Sequence, residues 1–544
     1  MQQWNETMTE CIRMITETED ECQRENLTAT IRSLFEKEGM EKEFDKELQE
    51  VLKKKEKQDI LNESIIDSLV RLNAADNFET NDRGFGRLFA EVFKLKHRYN
   101  PSRKDFMLFD GKRWVDDVEG MGIRADAKKL SDELVKYALS LGSSNGSDNR
   151  YLLDVAKLSC IRNRENMIRD AKDCYYFSNE ELDQNDYLLN VQNGILDLSG
   201  NDPVFMPHDP DLLLSKICNA EYDPSAICKE WNKFLLEVME GDVDKIHYLQ
   251  KICGLSLTGN AEQESCFILF GSTTRNGKST FCETIIYLLG DYALTMKPET
   301  LAVKPNADSR QASGDIARLA GCRLVNASEP PKKMLFDTAL LKSLLGRDSI
   351  TARHLHQREF SFVPKFKLIM NTNYLPTIND DTVFGSGRIN VVSFDRHFSE
   401  AEQDKKLKVR LQDRKELSGI LNWCIEGLRL YREEGLEPPE TVKNATDTYR
   451  SDSDKIGGFL AECLVHTGRN SKAKDVYEVY SKWCADNGYG CENKGNFFSE
   501  LKTKGVFATS GTVNGSTVRN IVLGYTIDSD FYKLSSKDEL PPFD

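Results

Sequence analysis

The chain has 544 residues, of which 39% are hydrophobic and 30% charged, enough apolar residues to build cores and too many for one core of ordinary size. Seventy-three Lys and Arg against 88 Asp and Glu give a net charge of −15, which excludes a uniformly basic nucleic-acid coat but leaves room for a local basic channel. No apolar run approaches the ~20 residues of a membrane span. The acidic, polar start lacks the basic end and apolar stretch of a signal peptide.

The 14 cysteines are scattered and none forms a CxxC pair; Cys484 and Cys491 come nearest, without a His at zinc-finger spacing. Free thiols and a reducing, cytoplasmic location are the expectation, with neither a membrane anchor nor a cysteine zinc site.

In chain order, residues 1–82 read as a highly charged helical arm. EKEGMEKEFDKELQEVLKKKEKQ mixes both signs, with Leu and Phe at loose helical spacing, as in a solvated arm or a partner-docking coil. Residues 83–235 read as an α+β domain: a helix, two short strands around the Asp110-Gly111 turn of FMLFDGKRWVDD, and a flexible loop at 143–149. From 236 to 400, short apolar strands (CFILF, CRLVNAS, FKLIMNTN) alternate with helices, the pattern of a parallel α/β sheet. Residues 401–454 read as a helical linker region. Residues 455–544 read as a small helix-rich module with a strand-like VNGSTVRNIVLGYTI and a loose tail.

The sharpest motif is FILFGSTTRNGKST at 267–280: an apolar strand, a Gly-containing turn, then Gly277-Lys278-Ser279-Thr280 opening a helix. This is a P-loop context, in which backbone N–H groups and a helix N-terminus face phosphates. Lys278 reaches the β- and γ-phosphates and Ser279 ligates Mg²⁺, with Gly271, Asn276, Gly277 and Thr280 completing the ATP cradle. Five residues separate Gly271 from Gly277 where the standard pattern has four, and Ser272 takes the expected glycine position.

An ATPase needs an acidic site on an adjacent strand. RLVNASEPP puts Glu329 at a strand end, with Ser328 where many such enzymes carry a metal-binding Asp. Glu329 is thus the expected water-activating residue and the second metal contact; Asp315 is the alternative carboxylate, but before the helix-like DIARLAG it reads as a cap. Asn373 ends the third strand as a γ-phosphate sensor or a simple strand cap. Arg388, after a Gly-rich turn, reads as an arginine finger or a surface arginine.

Between 331 and 370 there are eight Lys/Arg against three acids. ITARHLHQREFSF suggests a β-hairpin with Arg353, His354, His356 and Arg358 near its turn, facing a nucleic-acid backbone or only solvent.

Taken together, these motifs resemble a superfamily 3 helicase of the phage/plasmid and poxvirus primase-helicase type. LLNVQNGILDLSG and MPHDPDLLLSKICNAEYDP, then the P-loop entry, RLAGCRLVNASE, LLKSLLGRDSITARHLHQREFSFVPKFKLIMNTN and FGSGRINVVSFDRHF, follow in family order. The resemblance implies a multidomain α/β protein with an AAA+-like P-loop ATPase core, an α+β domain before it, and helices and a winged-helix module after it. It also implies a ring, usually hexameric, hydrolysing ATP with Mg²⁺ while moving along single-stranded or forked DNA, usually 3′ to 5′, in phage or mobile-element replication.

Lys278, Ser279 and Glu329 then serve ATP in cis, Asn373 senses it and Arg388 acts across the interface. Lys342, Arg353, His354, His356 and Arg358 belong to the segment facing DNA. Relatives often carry Trp-Arg-Arg where this chain has Gly385-Ser386-Gly387-Arg388, which leaves one arginine. The first ~80 residues are short for a primase and carry no paired catalytic carboxylates, so primase activity is not expected in this chain, and a separate primase or other replication protein is the partner considered. Two other classes compete: an ATP-controlled initiator scaffold without processive unwinding, and a stand-alone P-loop ATPase or kinase.

Overall fold

The computed structural model describes residues 2–18, 20–145, 150–304, 314–332, 334–353, 359–378, 380–487 and 490–528. The chain divides into two compact units, 1–184 with 208–215, and 185–207 with 216–544.

In the first unit, helices Gln2–Glu17, Glu21–Lys37 and Glu41–Asn62 pack on one another rather than extending as an arm. Few residues achieve this. Met8, Ile12, Ile15, Ile31, Phe35, Phe44 and Leu48 form the core, with the Phe35 and Phe44 rings stacked at 5.0 Å. The second helix starts at Asp20, whose side chain accepts from the Gln23 N–H.

A larger core follows, in which helix Asp82–Phe93 packs against Met121–Asn145 and Ile161–Asp170 beside an antiparallel sheet of His97–Asn100, Asp105–Phe109 and Trp114–Asp116. The expected turn between the last two strands forms, with the Asp110 carboxylate accepting from the N–H groups of Lys112 and Arg113. The helix running to Asn145 takes up the start of the expected 143–149 loop; 146–149 lie outside the described residues.

The second unit is built on a five-stranded parallel sheet: β1 (Cys266–Phe270), β2 (Ala293–Met296), β3 (Leu324–Ser328), β4 (Lys367–Thr372) and β5 (Ile389–Ser393). Their order is β5-β1-β4-β3-β2, all parallel. β1, β3, β4 and β5 are buried along nearly their whole length while β2 is half-buried, which is why CFILF reads as a continuous apolar run.

One face packs on helix Val243–Leu255, helix Lys278–Leu289 and helix Arg414–Glu434; the other packs on helix Thr338–Leu345 and part of helix Glu440–Ser453. Helices 243–255 and 414–434 meet at backbone distance. A Cβ on Gly254 would stand 2.2 Å from the Leu428 nitrogen, and one on Gly427 2.0 Å from the Gln250 carbonyl oxygen, so only glycine permits this approach.

The 188–206 hairpin belongs to this unit, and its Leu189, Val191 and Leu196 join the same core. Helices Lys455–Cys463, Ala473–Asp486 and Lys494–Thr503 enclose a separate core of Phe459, Tyr480, Trp483 and Phe497. Beside them lies a small sheet whose hairpin, Phe507–Val513 with Ser516–Val522, turns at Asn514-Gly515. Among the described residues no helix is long and apolar enough to cross a membrane.

Candidate functional site

The C-terminal ends of β1, β3 and β4 gather the polar residues that the motifs singled out. Strand β1 ends at Phe270, and residues 271–277 loop back to the helix that begins at Lys278. Two glycines make this loop possible. A Cβ on Gly271 would lie 2.2 Å from Asn276 Nδ2, 2.7 Å from the Phe394 carbonyl and 2.8 Å from Lys278 Nζ. Gly277 has φ +86° and faces Val238.

Within the loop, Asn276 Nδ2 donates to the Thr273 carbonyl at 2.7 Å. From outside, the loop is braced by His397, whose Nδ1 lies 2.8 Å from the Thr274 carbonyl oxygen, and by the Phe398 N–H donating to the Arg275 carbonyl at 3.0 Å.

Lys278 is 4% exposed. Its Nζ donates to Asn373 Oδ1 at 2.7 Å and to the Gly271 carbonyl at 3.3 Å. Burial pushes this ammonium down to about 8, because its contacts are neutral dipoles rather than a carboxylate. Such a cation, desolvated and held by dipoles alone, favours an incoming anion. Ser279 is exposed at the helix start, and Thr280 follows it half-buried.

Glu329 follows β3 with φ +56°, left-handed backbone that a glutamate adopts only under constraint. Its N–H is fixed on the Asn371 carbonyl at 2.9 Å, and its side chain is exposed. Asn373 follows β4, where Thr372 Oγ1 accepts from the Tyr374 N–H and turns the chain outward.

Three further residues were not visible as a set in the sequence. Asn326 and Ser328 lie on the face of β3 that also carries Leu324, toward helix 278–289, and Asn371 lies on the same face of β4, opposite Ser328. Asn326 Nδ2 donates to Ser328 Oγ at 2.7 Å, and Asn371 Nδ2 reaches Ser279 Oγ at 3.4 Å. Asn326 is 4% exposed and its Oδ1 has no hydrogen-bond partner. An orphaned acceptor at this depth is costly unless something else meets it.

Arg388 sits elsewhere. It immediately precedes β5, beside the start of β1, where its carbonyl accepts the Cys266 N–H at 2.7 Å. The loop lies at the other end of β1, about 16 Å away for five residues at ~3.3 Å each. The guanidinium is ion-paired with Glu264, its Nη1 lies 3.3 Å from Ser386 Oγ, and its buried Nε has no partner.

Lys342 is held by Asp380 at 2.6 Å and Thr382 Oγ1 at 2.7 Å. The expected hairpin forms from Ile350–Ala352 and Phe360–Phe362, with Arg353 after its first strand. His354, His356 and Arg358 lie outside the described residues. Asp315 lies in the first turn of a short helix, Gly314–Ala317, and not at the expected cap position, with Thr300 Oγ1 3.5 Å from its carboxylate. Among the described residues no cluster of three or more His, Cys, Asp or Glu is placed to hold a metal.

Residues 86–240 match the family described as "D5 N terminal like", and residues 269–388 match a family of unknown function, DUF5906. The chain is 29% identical over 357 residues to "Putative helicase L207/L206" of Acanthamoeba polyphaga mimivirus, covering 61% of this chain and 36% of the relative. It is 24% identical over 372 residues to "Putative helicase 121R" of Invertebrate iridescent virus 3, covering 60% and 39%. It is 21% identical over 420 residues to "Putative primase C962R" of African swine fever virus (isolate Tick/Malawi/Lil 20-1/1983), covering 73% and 43%.

The chain thus spans well under half the length of these relatives. The apo C-terminal region of NrS-1 superposes with a TM-score of 0.43 at 10% identity, covering 82% of this chain and 100% of that one. The chain is similar to proteins of large DNA viruses that carry the names "Putative helicase" and "Putative primase".

Proposed function

We propose that this chain is an ATP-dependent DNA helicase of superfamily 3 that works in DNA replication, as a ring of identical subunits moving on single-stranded DNA. The observation that carries this reading is the meeting of Lys278 and Asn373 at 2.7 Å across the ends of two neighbouring strands, beside a loop in which Gly271 admits no side chain. The strand order β5-β1-β4-β3-β2, with the loop following β1, supports an AAA+-like P-loop ATPase core. The C-terminal helices and hairpin fit a winged-helix module.

In this reading the 271–277 loop and the start of helix 278–289 hold the triphosphate, with Lys278 on its outer phosphates. Phosphate oxygens compete with Asn373 for Lys278 Nζ, so nucleotide arrival frees the Asn373 amide to contact the terminal phosphate. Glu329, exposed at the same strand ends, takes the proton from the attacking water. The Ser279 hydroxyl fits a Mg²⁺ ligand, and the orphaned Asn326 oxygen fits the same neighbourhood. When bound, Mg²⁺ supplies charge neutralisation on the phosphates.

Arg388, a sheet-length from the loop of its own subunit, serves only a neighbouring copy's nucleotide, which requires Glu264 to release it or travel with it. The hairpin carrying Arg353 faces DNA in the ring.

The test is ATPase rate with and without single-stranded DNA for wild type, Lys278→Ala and Arg388→Ala, singly and mixed. DNA-stimulated turnover, lost in both variants and partly restored on mixing, supports the ring motor. A rate indifferent to DNA with Arg388→Ala equal to wild type overturns it in favour of the initiator scaffold or a stand-alone ATPase.

A further inference from the structure

Beyond the residues that the motif pattern assigns, the floor beneath Ser279 is built of neutral amides and hydroxyls. Asn326, Ser328 and Asn371 lie side by side on one face of β3 and β4, and Asn371 points its amide at Ser279 Oγ. Asn326 stands in the middle of β3, LVNAS, at a position 4% exposed, and leaves one oxygen without a partner. A strand serving only as core would carry Leu or Val there, as residue 324 does, at no desolvation penalty.

We propose that Asn326, with Ser328 and Asn371, forms a neutral cradle that receives the hydration shell of the nucleotide's divalent cation and aims Ser279 at it. This takes the place of the strand carboxylate that such sites more often use. The inference rests on the nucleotide-binding reading above. Its physical consequence concerns charge. A site of neutral oxygens attracts a hard dication far less than a carboxylate does, so the cation enters with the phosphates and leaves with them. Glu329, exposed on its strained turn, then remains available as a base instead of serving as a permanent metal ligand. Asn326 and Asn371 are positioning residues: they act on the cation's water and on Ser279.

The experiment uses the full chain and a fluorescent non-hydrolysable ATP analogue, titrated with Mg²⁺ and in EDTA, together with Mn²⁺ alone followed by electron paramagnetic resonance. For Asn326→Leu, the ratio of nucleotide affinity with Mg²⁺ to that in EDTA falls about tenfold, the loss expected for one buried hydrogen-bonding group. For Asn326→Asp, which is isosteric, Mn²⁺ binds without nucleotide, whereas wild type leaves Mn²⁺ free.

Should Asn326→Leu fail to fold, as judged by thermal melting, Asn326→Asp decides alone. Both variants tracing the wild-type Mg²⁺ and Mn²⁺ curves would overturn the cradle while leaving the nucleotide site intact. Wild type that binds Mn²⁺ without nucleotide also overturns it. Wild type that binds no nucleotide at all removes the proposed function, and the cradle with it.

Discussion

The two ends of the parallel sheet use charge in opposite ways. At the C-terminal end, Lys278 is desolvated and paired only with an amide and a carbonyl, Glu329 is strained into left-handed backbone, and Asn326 keeps an orphaned oxygen. At the N-terminal end, Arg323 and Lys367 are also buried cations, yet each is absorbed into the fold. Arg323 donates to the carbonyls of Leu188 and Leu257 and lies over the Tyr292 ring, while Lys367 donates to the carbonyls of Thr258 and Asn260. Burial, reinforced by Arg323, pushes Lys367 down to about 7. The lesson is that a buried cation by itself marks nothing. What separates the two ends is whether the polar partners belong to the closed fold or to a loop that opens outward.

The sharpest way to break this contrast is at the loop. Gly271→Ala drives a methyl against Lys278 Nζ and Asn276 Nδ2, and nucleotide affinity is expected to fall about a hundredfold, equivalent to ~2.7 kcal/mol. At the other end, Gly259→Ala meets the Asp186 side chain and leaves nucleotide binding unaltered; fluorescence titration of both variants separates the two ends.

Next comes Glu329→Gly. Turnover is expected to drop by about a hundredfold or more for loss of a general base. Relief of the left-handed backbone raises stability by ~1 kcal/mol, read as a higher melting temperature beside a lower rate.

The titrations of the two lysines sharpen the comparison further. On the proposed function the nucleotide meets Lys278 in its protonated form, so with the free value near 8 affinity is expected to be full below pH 8. Above that it falls about tenfold per pH unit until the higher value of the bound form is reached, with proton uptake measurable by calorimetry in two buffers. Lys367 also has a depressed value, but its partners are carbonyls of the fold. Between about pH 7 and its unfolded value near 10.4 the unfolded state binds more protons, so its contribution makes stability rise with pH. Lys367→Met should flatten that slope in chemical denaturation without altering the pH profile of nucleotide binding.

The smallest effect is reserved for the partly exposed Arg388–Glu264 pair. Glu264→Gln should change stability by under ~1 kcal/mol. Any larger consequence of that variant should appear only in assembled rings, as altered turnover per subunit.

Much of this was legible in the residues because it follows from local pattern. CFILF, CRLVNAS and FKLIMNTN declared themselves as buried strands, and the strand–turn–helix around Gly277 and Lys278 needed only the apolar run before it and the glycine within it. The cradle was not legible. Asn326 and Asn371 look like interruptions in apolar strands until the parallel register sets Asn371 opposite Ser328.

Glu264 was hidden for a similar reason. It stands 124 residues from Arg388, and only the pairing of β5 with β1 brings them together. The first helices misled in the other direction: their charge suggested a solvated arm, yet seven well-spaced apolar residues suffice to fold them on one another. The resemblance put Lys342 in the segment facing DNA, and its ion pair with Asp380, 38 residues away, could not be read from the sequence.

The glycine seam between helices 243–255 and 414–434 has a practical consequence. Two segments that flank the sheet in sequence are clasped there with no side chain between them, so the sheet is closed by pieces lying outside its own stretch of chain. A recombinant fragment trimmed to the strands, 236–400, would bare Phe281 and Leu289 where Trp231, Leu421 and Leu428 should cover them. It would be recovered as aggregate. One running from about 185 to 453 retains the clasp and should purify as a soluble, cooperatively melting species.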